Sequence, residues 1–155
     1  MPQRLGPEAG TRLERFGPDA LGEYHEIIVT SDCSREWGGT CGSSLWASSP
    51  ALILWMCSDP SRLSLIRGKS ILEIGSGLGF VGLALGALGA RRVLCTDLPE
   101  QQALLAHNVQ ANASGRCKVE STPFVWGTPP PPAIGRHYDL VVACAWPALA
   151  PQTFG

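Results

Sequence analysis

The stretch Ser70-Ile71-Leu72-Glu73-Ile74-Gly75-Ser76-Gly77-Leu78-Gly79 decides how this chain is read. A short apolar run of strand character ends on three glycines at alternate positions. Residues 80–88, FVGLALGAL, then continue as an apolar segment long enough for a helix. Strand, glycine turn and helix in that order are the context that gives a glycine triplet meaning. Gly75 and Gly77 permit the tight turn and let a ligand approach the peptide groups with no Cβ in the way, while Gly79 lets the helix pack near the strand. Dinucleotides use the same geometry, so the triplet alone leaves the ligand open.

Working outward, the alternation repeats. Residues 92–96 form a second strand, 100–112 a second helix, 118–125 contain a third strand and 138–144 form a fourth that is apolar after Asp139. Such alternation predicts an α/β fold on a parallel sheet. Between the third and fourth strands, Pro129, Pro130, Pro131 and Pro132 predict a stiff extended connector in place of a longer helix. Upstream, LWASSPALILWMC over 45–57 predicts a buried helix with Ser48 or Ser49 as its N-cap and Pro50 in its first turn. One or two further helical turns follow over 61–66, and 24–29 predicts a short strand. Residues 1–22, rich in Gly, Pro and charge without apolar periodicity, are expected to be a mobile tail, with a partial domain over 23–155.

Composition sets the bounds. The 155 residues fit one domain, and 45% hydrophobic with 16% charged residues suits a packed core. Net charge is −1 with no basic stripe, so nucleic acid is disfavoured as a partner. No run approaches the roughly 18 to 20 apolar residues that cross a bilayer, and residues 1–17 lack the apolar core of a secretory signal, so no membrane partner is expected. The expected location is the cytoplasm, or the nucleus as well. The six cysteines show no metal-ligand spacing, so reduced thiols and no metal are expected.

Two acids refine the ligand. Glu73 precedes the first glycine by two residues, the spacing is G-x-G-x-G, and the helix opens with bulky apolar residues. A helix N-terminus favours phosphate, whereas an acid at position 73 suits a ligand carrying an ammonium and a sulfonium, as S-adenosylmethionine does. Asp97, at the end of the second strand, is placed to accept from ribose hydroxyls. Each acid has a plainer alternative: Glu73 as a solvated turn residue, Asp97 as the N-cap of the following helix. Their joint position at successive strand ends, where α/β sheets bind ligands, favours the binding reading.

These residues resemble the family-16, seven-strand methyltransferases, which include lysine methyltransferases of elongation factors and chaperones. The resemblance rests on ILEIGSGLGFVGLALGALGA, on the stretch VLCTDLPEQQALLAHNVQAN, on the upstream LWASSPAL and on Phe124-Val125-Trp126-Gly127. It covers residues 40–144. It implies an S-adenosylmethionine site in a Rossmann-like fold, here with strands one to four and without five to seven. Trp46 would lie over the methionine end, Asp97 would hold the ribose, Trp126 and Val125 would border the adenine, and Leu98 and Ala143 would complete the pocket. An indole face suits both a cation and a purine. Trp55 is expected in the core, and Asn108 and Asn112, on one helix face, are expected to serve structure. The implied reaction is methyl transfer to a lysine side chain of a protein substrate.

The family pattern fails after the fourth strand. Ala145 and Trp146 stand where an acid and an aliphatic residue are expected, and Ala148 where a tyrosine is, so no catalytic residue is assigned. The chain ends at Gly155, and a fragment, an alternative product or an incomplete gene model is expected. The fourth strand should then be an exposed apolar edge that invites pairing between copies. Two other functions compete: a non-catalytic S-adenosylmethionine-binding or partner-binding remnant, and a nicotinamide-dependent reductase, which the glycine spacing and Trp126-Gly127 oppose.

Overall fold

The computed structural model of the protein describes residues 10–32, 43–113 and 117–144. Its centre is a parallel sheet of β3 (Ser70–Ile74), β4 (Arg92–Asp97), β5 (Lys118–Pro123) and β6 (Leu140–Ala143), in the spatial order β5-β4-β3-β6. Ile71 pairs with both Val93 and Leu140, so the strands stand nearly level and their carboxyl ends form one rim. The chain moves outward from β3 through β4 to β5, with α3 (Phe80–Ala87) and α4 (Gln102–Ala111) as crossovers, and then returns past β3 to β6.

Helix α3 is almost wholly buried between the sheet and α1 (Ser48–Cys57). Its glycines explain how it fits. A Cβ on Gly82 would collide with Cys95 Sγ and meet Glu73 Oε2 at 2.7 Å, and one on Gly86 would meet Val119 Cγ2 at 2.9 Å. Each glycine weakens the isolated helix by about 1 kcal/mol relative to alanine, and in return the helix reaches a sheet distance that no larger residue permits.

Several expectations change here. Residues 10–16 are not a tail: β1 (Gly10–Phe16) pairs antiparallel with β2 (His25–Ser31), and Phe16 and Asp19 are buried. Residues 1–9 lie outside the described residues. Neither Ser48 nor Ser49 caps α1, because Ala47 is its N-cap and makes no side-chain bond. The next helix, α2 (Pro60–Leu63), is properly capped by Asp59, which accepts from the amides of Ser61 and Arg62. Trp55 is 54% exposed and lies under the Arg62 guanidinium, 4.4 Å from its ring centre, instead of in the core. Helix α1 buries Ile53, Met56 and Cys57, and at 100° per residue that turns position 55 outward. The fourth strand is shorter than the apolar run suggested, and within it Val142 is buried while Val141 is 55% exposed.

Other expectations stand. The third strand falls within 118–125, and the proline connector contains no helix. Pro129 and Pro131 fold back with Pro99, Pro123 and Phe124 around a shallow cleft of about 280 Å³. Tyr138 ends the connector by donating to the carbonyl of Ala133, 2.9 Å. Ser70 and Asp139 then set the register of β6 through two bonds, Ser70 N–H to Asp139 Oδ2 at 2.7 Å and Asp139 N–H to the Ser70 carbonyl at 2.8 Å. Asn108 and Asn112 serve structure: their side chains bond both the amide and the carbonyl of Thr30 and of Ile28 respectively, at 2.7 to 2.9 Å. The match is geometric, because four helical residues rise about 6 Å and two strand residues span about 6.6 Å. Cys57, Cys95, Cys117 and Cys144 are free thiols, while Cys33 and Cys41 lie outside the described residues.

Candidate functional site

The rim formed by the carboxyl ends of the strands has a switch point between β3 and β6, where the chain's direction across the sheet reverses. Crevices at such points are where open α/β sheets hold ligands. The glycine loop sits there. Gly75, Gly77 and Gly79 all have positive φ, 71°, 54° and 81°, so the triplet is required by backbone conformation. Gly79 is required twice over, since a Cβ on it would lie 2.7 Å from Leu105 Cδ1.

Short polar residues stitch this loop to the end of β4. Ser76 N–H donates to the Thr96 carbonyl at 2.9 Å, Thr96 N–H returns to Ser76 Oγ at 3.1 Å, and Thr96 Oγ1 donates to the Glu73 carbonyl at 2.7 Å. Asp97 Oδ2 accepts from Gly77 N–H at 2.6 Å and Oδ1 from Leu98 N–H at 2.7 Å. The capping alternative for Asp97 therefore fails: the turn at Pro99–Gln101 has Leu98 as its N-cap and no side-chain cap bond. Asp97 stays half-buried at the rim, and a carboxylate with about four acceptor sites retains capacity after two bonds.

Glu73 is placed differently. It is 1% exposed, and its Oε2 accepts from Gly82 N–H at 3.0 Å, with Ser76 and Cys95 also bonded to it. Burial pushes its carboxyl from 4.5 up to about 7, against those bonds. The solvated-turn alternative fails, and the carboxylate is not presented on the open side of the loop as pairing with a ligand ammonium would require. Glu73 supports the loop from below. Cys95 beside it is pushed well above the usual thiol range, first by burial and then by Glu73, so it remains a protonated thiol.

The remaining residues lie before α1, at the end of β6, and after β4 and β5. Trp46, 53% exposed, precedes α1, and Ser49 Oγ of α1 lies 3.9 Å from Cys144 Sγ just past β6. Ala143 is the last residue of β6 and pairs with Ile74 at the rim. On the other side of β3, Leu98 follows β4, and Phe124 N–H donates to the Asp97 carbonyl at 2.8 Å, bringing Val125 and Trp126 to the same rim. Leu98, Val125 and Trp126 are 37%, 40% and 47% exposed. Ala145, Trp146 and Ala148 lie outside the described residues.

Ser76, Thr96 and the fully buried Gln101, whose Nε2 reaches the Gly77 carbonyl at 3.5 Å, are supporting residues that sequence reasoning missed. The hydroxyls of Ser76 and Thr96 near successive strand ends were visible in the sequence but did not name their partners. At the other end of β3, Asp19, Glu23 and His25 form the one grouping of metal-ligand types found among the described residues. Arg67 Nη2 already reaches Asp19 at 3.5 Å and Glu23 at 3.7 Å there.

A glycine turn at the switch point of a parallel sheet, with an acid at the next strand end, defines an α/β domain whose open crevice lies at the carboxyl ends of its strands. Residues 22–145 match the family described as lysine methyltransferase, and the chain belongs to that family. It is 34% identical to mouse protein-lysine methyltransferase METTL21E over 125 residues, 77% of this chain and 48% of the relative. It is 30% identical to EEF1A lysine methyltransferase 3 of Xenopus tropicalis over 137 residues, 81% of this chain and 59% of the relative. The chain spans about half the length of these curated relatives.

Proposed function

We propose that this chain binds S-adenosylmethionine at the glycine loop and forms the cofactor half, strands one to four, of a seven-strand Rossmann-like methyltransferase acting on lysine in a protein substrate. The observation that carries the reading is the pairing of Asp97 with Gly77: an acid at the end of β4 locks the loop while keeping acceptor sites at the rim. The residues fit the cofactor. Asp97 has the chemistry for ribose hydroxyls, the glycines leave peptide groups accessible, and exposed Trp46 and Trp126 offer apolar planes for a sulfonium and a purine.

When bound, S-adenosylmethionine supplies an activated methyl group, so the chain's own task is to hold, orient and exclude water. Asp97 orients the nucleoside, the loop with Leu98, Val125 and Ala143 shapes the pocket, and Glu73 with Ser76 and Thr96 keeps the loop rigid. The acceptor is a lysine ε-amine of a protein, as the names of both relatives suggest, and a cytoplasmic or nuclear location fits that substrate class.

Titration calorimetry with S-adenosylmethionine and with NAD tests the binding. S-adenosylmethionine should bind, and Asp97→Ala should weaken it at least tenfold, on the order of one charge-assisted hydrogen bond. Binding of NAD alone would sink the reading. Incubation with methyl-labelled cofactor and lysate protein tests catalysis: label on lysine supports the transferase, and binding without transfer leaves a non-catalytic cofactor-binding chain, in line with Ala145 standing where the resemblance leads an acid to be expected.

A further inference from the structure

The side chain of Asn108 is fully buried and joins two parts of the molecule that are far apart in sequence. Its Oδ1 accepts from Thr30 N–H at 2.8 Å, and its Nδ2 donates to the Thr30 carbonyl and to the Leu78 carbonyl, both at 2.9 Å. Because Thr30 N–H can only donate, the amide's orientation is fixed, and both Nδ2 hydrogens are committed to carbonyls. One of those carbonyls belongs to the glycine loop and the other to the N-terminal hairpin. The same face of α4 carries Leu105 against Gly79 and Asn112 on Ile28.

We propose that Asn108 is a positioning residue for the cofactor loop, and that the grip of the loop depends on the two Thr30 bonds that hold Asn108 in place. This inference rests on the cofactor reading above. The Leu78 carbonyl lies between two residues of positive φ, Gly77 and Gly79, in the segment with the greatest backbone freedom of the site. A rigid donor at that carbonyl fixes the peptide planes on which a ligand would rest. The donor is itself rigid only because Thr30 holds its other two positions. If loop and hairpin are linked, the linkage is reciprocal, so a ligand that orders the loop also protects the hairpin.

Two variants of the full chain separate this from a general need for a docked hairpin. Asn108→Ala removes the bond to the loop and the bonds to Thr30, whereas Asn112→Ala removes the two bonds to Ile28 and one to the Asn108 main-chain carbonyl and leaves every side-chain bond of Asn108 in place. Asn108→Ala should weaken S-adenosylmethionine binding about tenfold, the scale of one lost buried hydrogen bond. It should also speed amide exchange at Gly77 and Gly79. Asn112→Ala should speed exchange at Ile28 and leave cofactor affinity within about twofold. In the unsubstituted chain, cofactor should slow exchange at the Thr30 amide, and in Asn108→Ala it should not.

Wild-type affinity and loop exchange in Asn108→Ala, or an equal loss of affinity in Asn112→Ala, would overturn the proposal. Should Asn108→Ala fail to fold, Asn108→Ser keeps a small polar side chain in the site but has one donor in place of two and cannot serve both carbonyls, and it should show the same faster loop exchange. If the unsubstituted chain does not bind S-adenosylmethionine, the cofactor reading fails by itself, and the loop exchange of the two variants without ligand still decides the role of Asn108.

Discussion

Glu73 shows how a single buried acid couples the site to pH. Burial is the dominant cause of its rise from 4.5 to about 7, and the nearby charge of Asp97 adds to it. In the folded chain the carboxyl keeps its proton over a range where the unfolded chain has already lost it, so the unfolded state binds fewer protons and stability falls as pH rises. The contribution is complete below pH 4.5 and is lost as pH climbs through about 7. A shift of that size corresponds to roughly 3 kcal/mol. Glu73→Gln keeps an acceptor for Gly82 N–H and cannot ionise. Measured by urea denaturation, the stability of the unsubstituted chain relative to this variant should drop by up to roughly 3 kcal/mol between the two ends of that window. A difference that stays constant across it would show that Glu73 does not titrate there.

Among the elements, the N-terminal hairpin depends most on one buried charge. Asp19 accepts from the amides of Leu21 and Glu23 at 2.8 and 3.0 Å and from His25 Nε2 at 3.0 Å. Burial alone would raise its carboxyl, but the His25 bond and the two amides outweigh it and hold it below its usual value. Its stabilisation is therefore present above 3.8 and disappears as pH falls through the lower folded value. Asp19→Ala, which removes the acceptor of both amides and the partner of His25, should cost about 2 kcal/mol, the scale of hydrogen bonds to a charged group. It should also speed exchange at the Leu21 and Glu23 amides, and unchanged exchange would rule the role out. Only the second strand of this hairpin was legible, since 24–29 reads as a strand and β2 covers His25–Ser31, whereas β1 reads Gly-Thr-Arg-Leu-Glu-Arg-Phe and buries only Phe16, so no alternation announces it. Strands β3 and β4 and helix α3 were legible as apolar runs between turn residues, whereas α4 and the polar β5, Lys-Val-Glu-Ser-Thr-Pro, were legible from the alternation of strand and helix that a parallel sheet requires. Trp55 was misplaced because LILWMC is apolar on every side and names no face. Asp97 and the glycines could be read from spacing, whereas the Ser76 and Thr96 bonds could not, since a hydroxyl does not identify a partner 20 residues away.

At the scale of the molecule, the sheet is asymmetric. Strand β5 is followed by the proline connector, which folds back over Pro99 and Pro123. Strand β6 pairs, among the described residues, with β3 alone, and its Val141 side chain is 55% exposed. An apolar strand whose outer row of backbone groups has no partner among the described residues is a template for a second chain, and a closed pairing of two copies would set β6 antiparallel to its twin about a twofold axis. Such pairing buries Val141 of both copies without disturbing the rim of the opposite ends. A lysine at that position keeps the strand but places a charge where the twin would pack, the means by which natural edge strands are blocked. Sedimentation of the unsubstituted chain should then show a mass that rises with concentration, and Val141→Lys should sediment as a monomer at every concentration with its thermal midpoint unchanged. A monodisperse monomer before substitution would rule the assembly out.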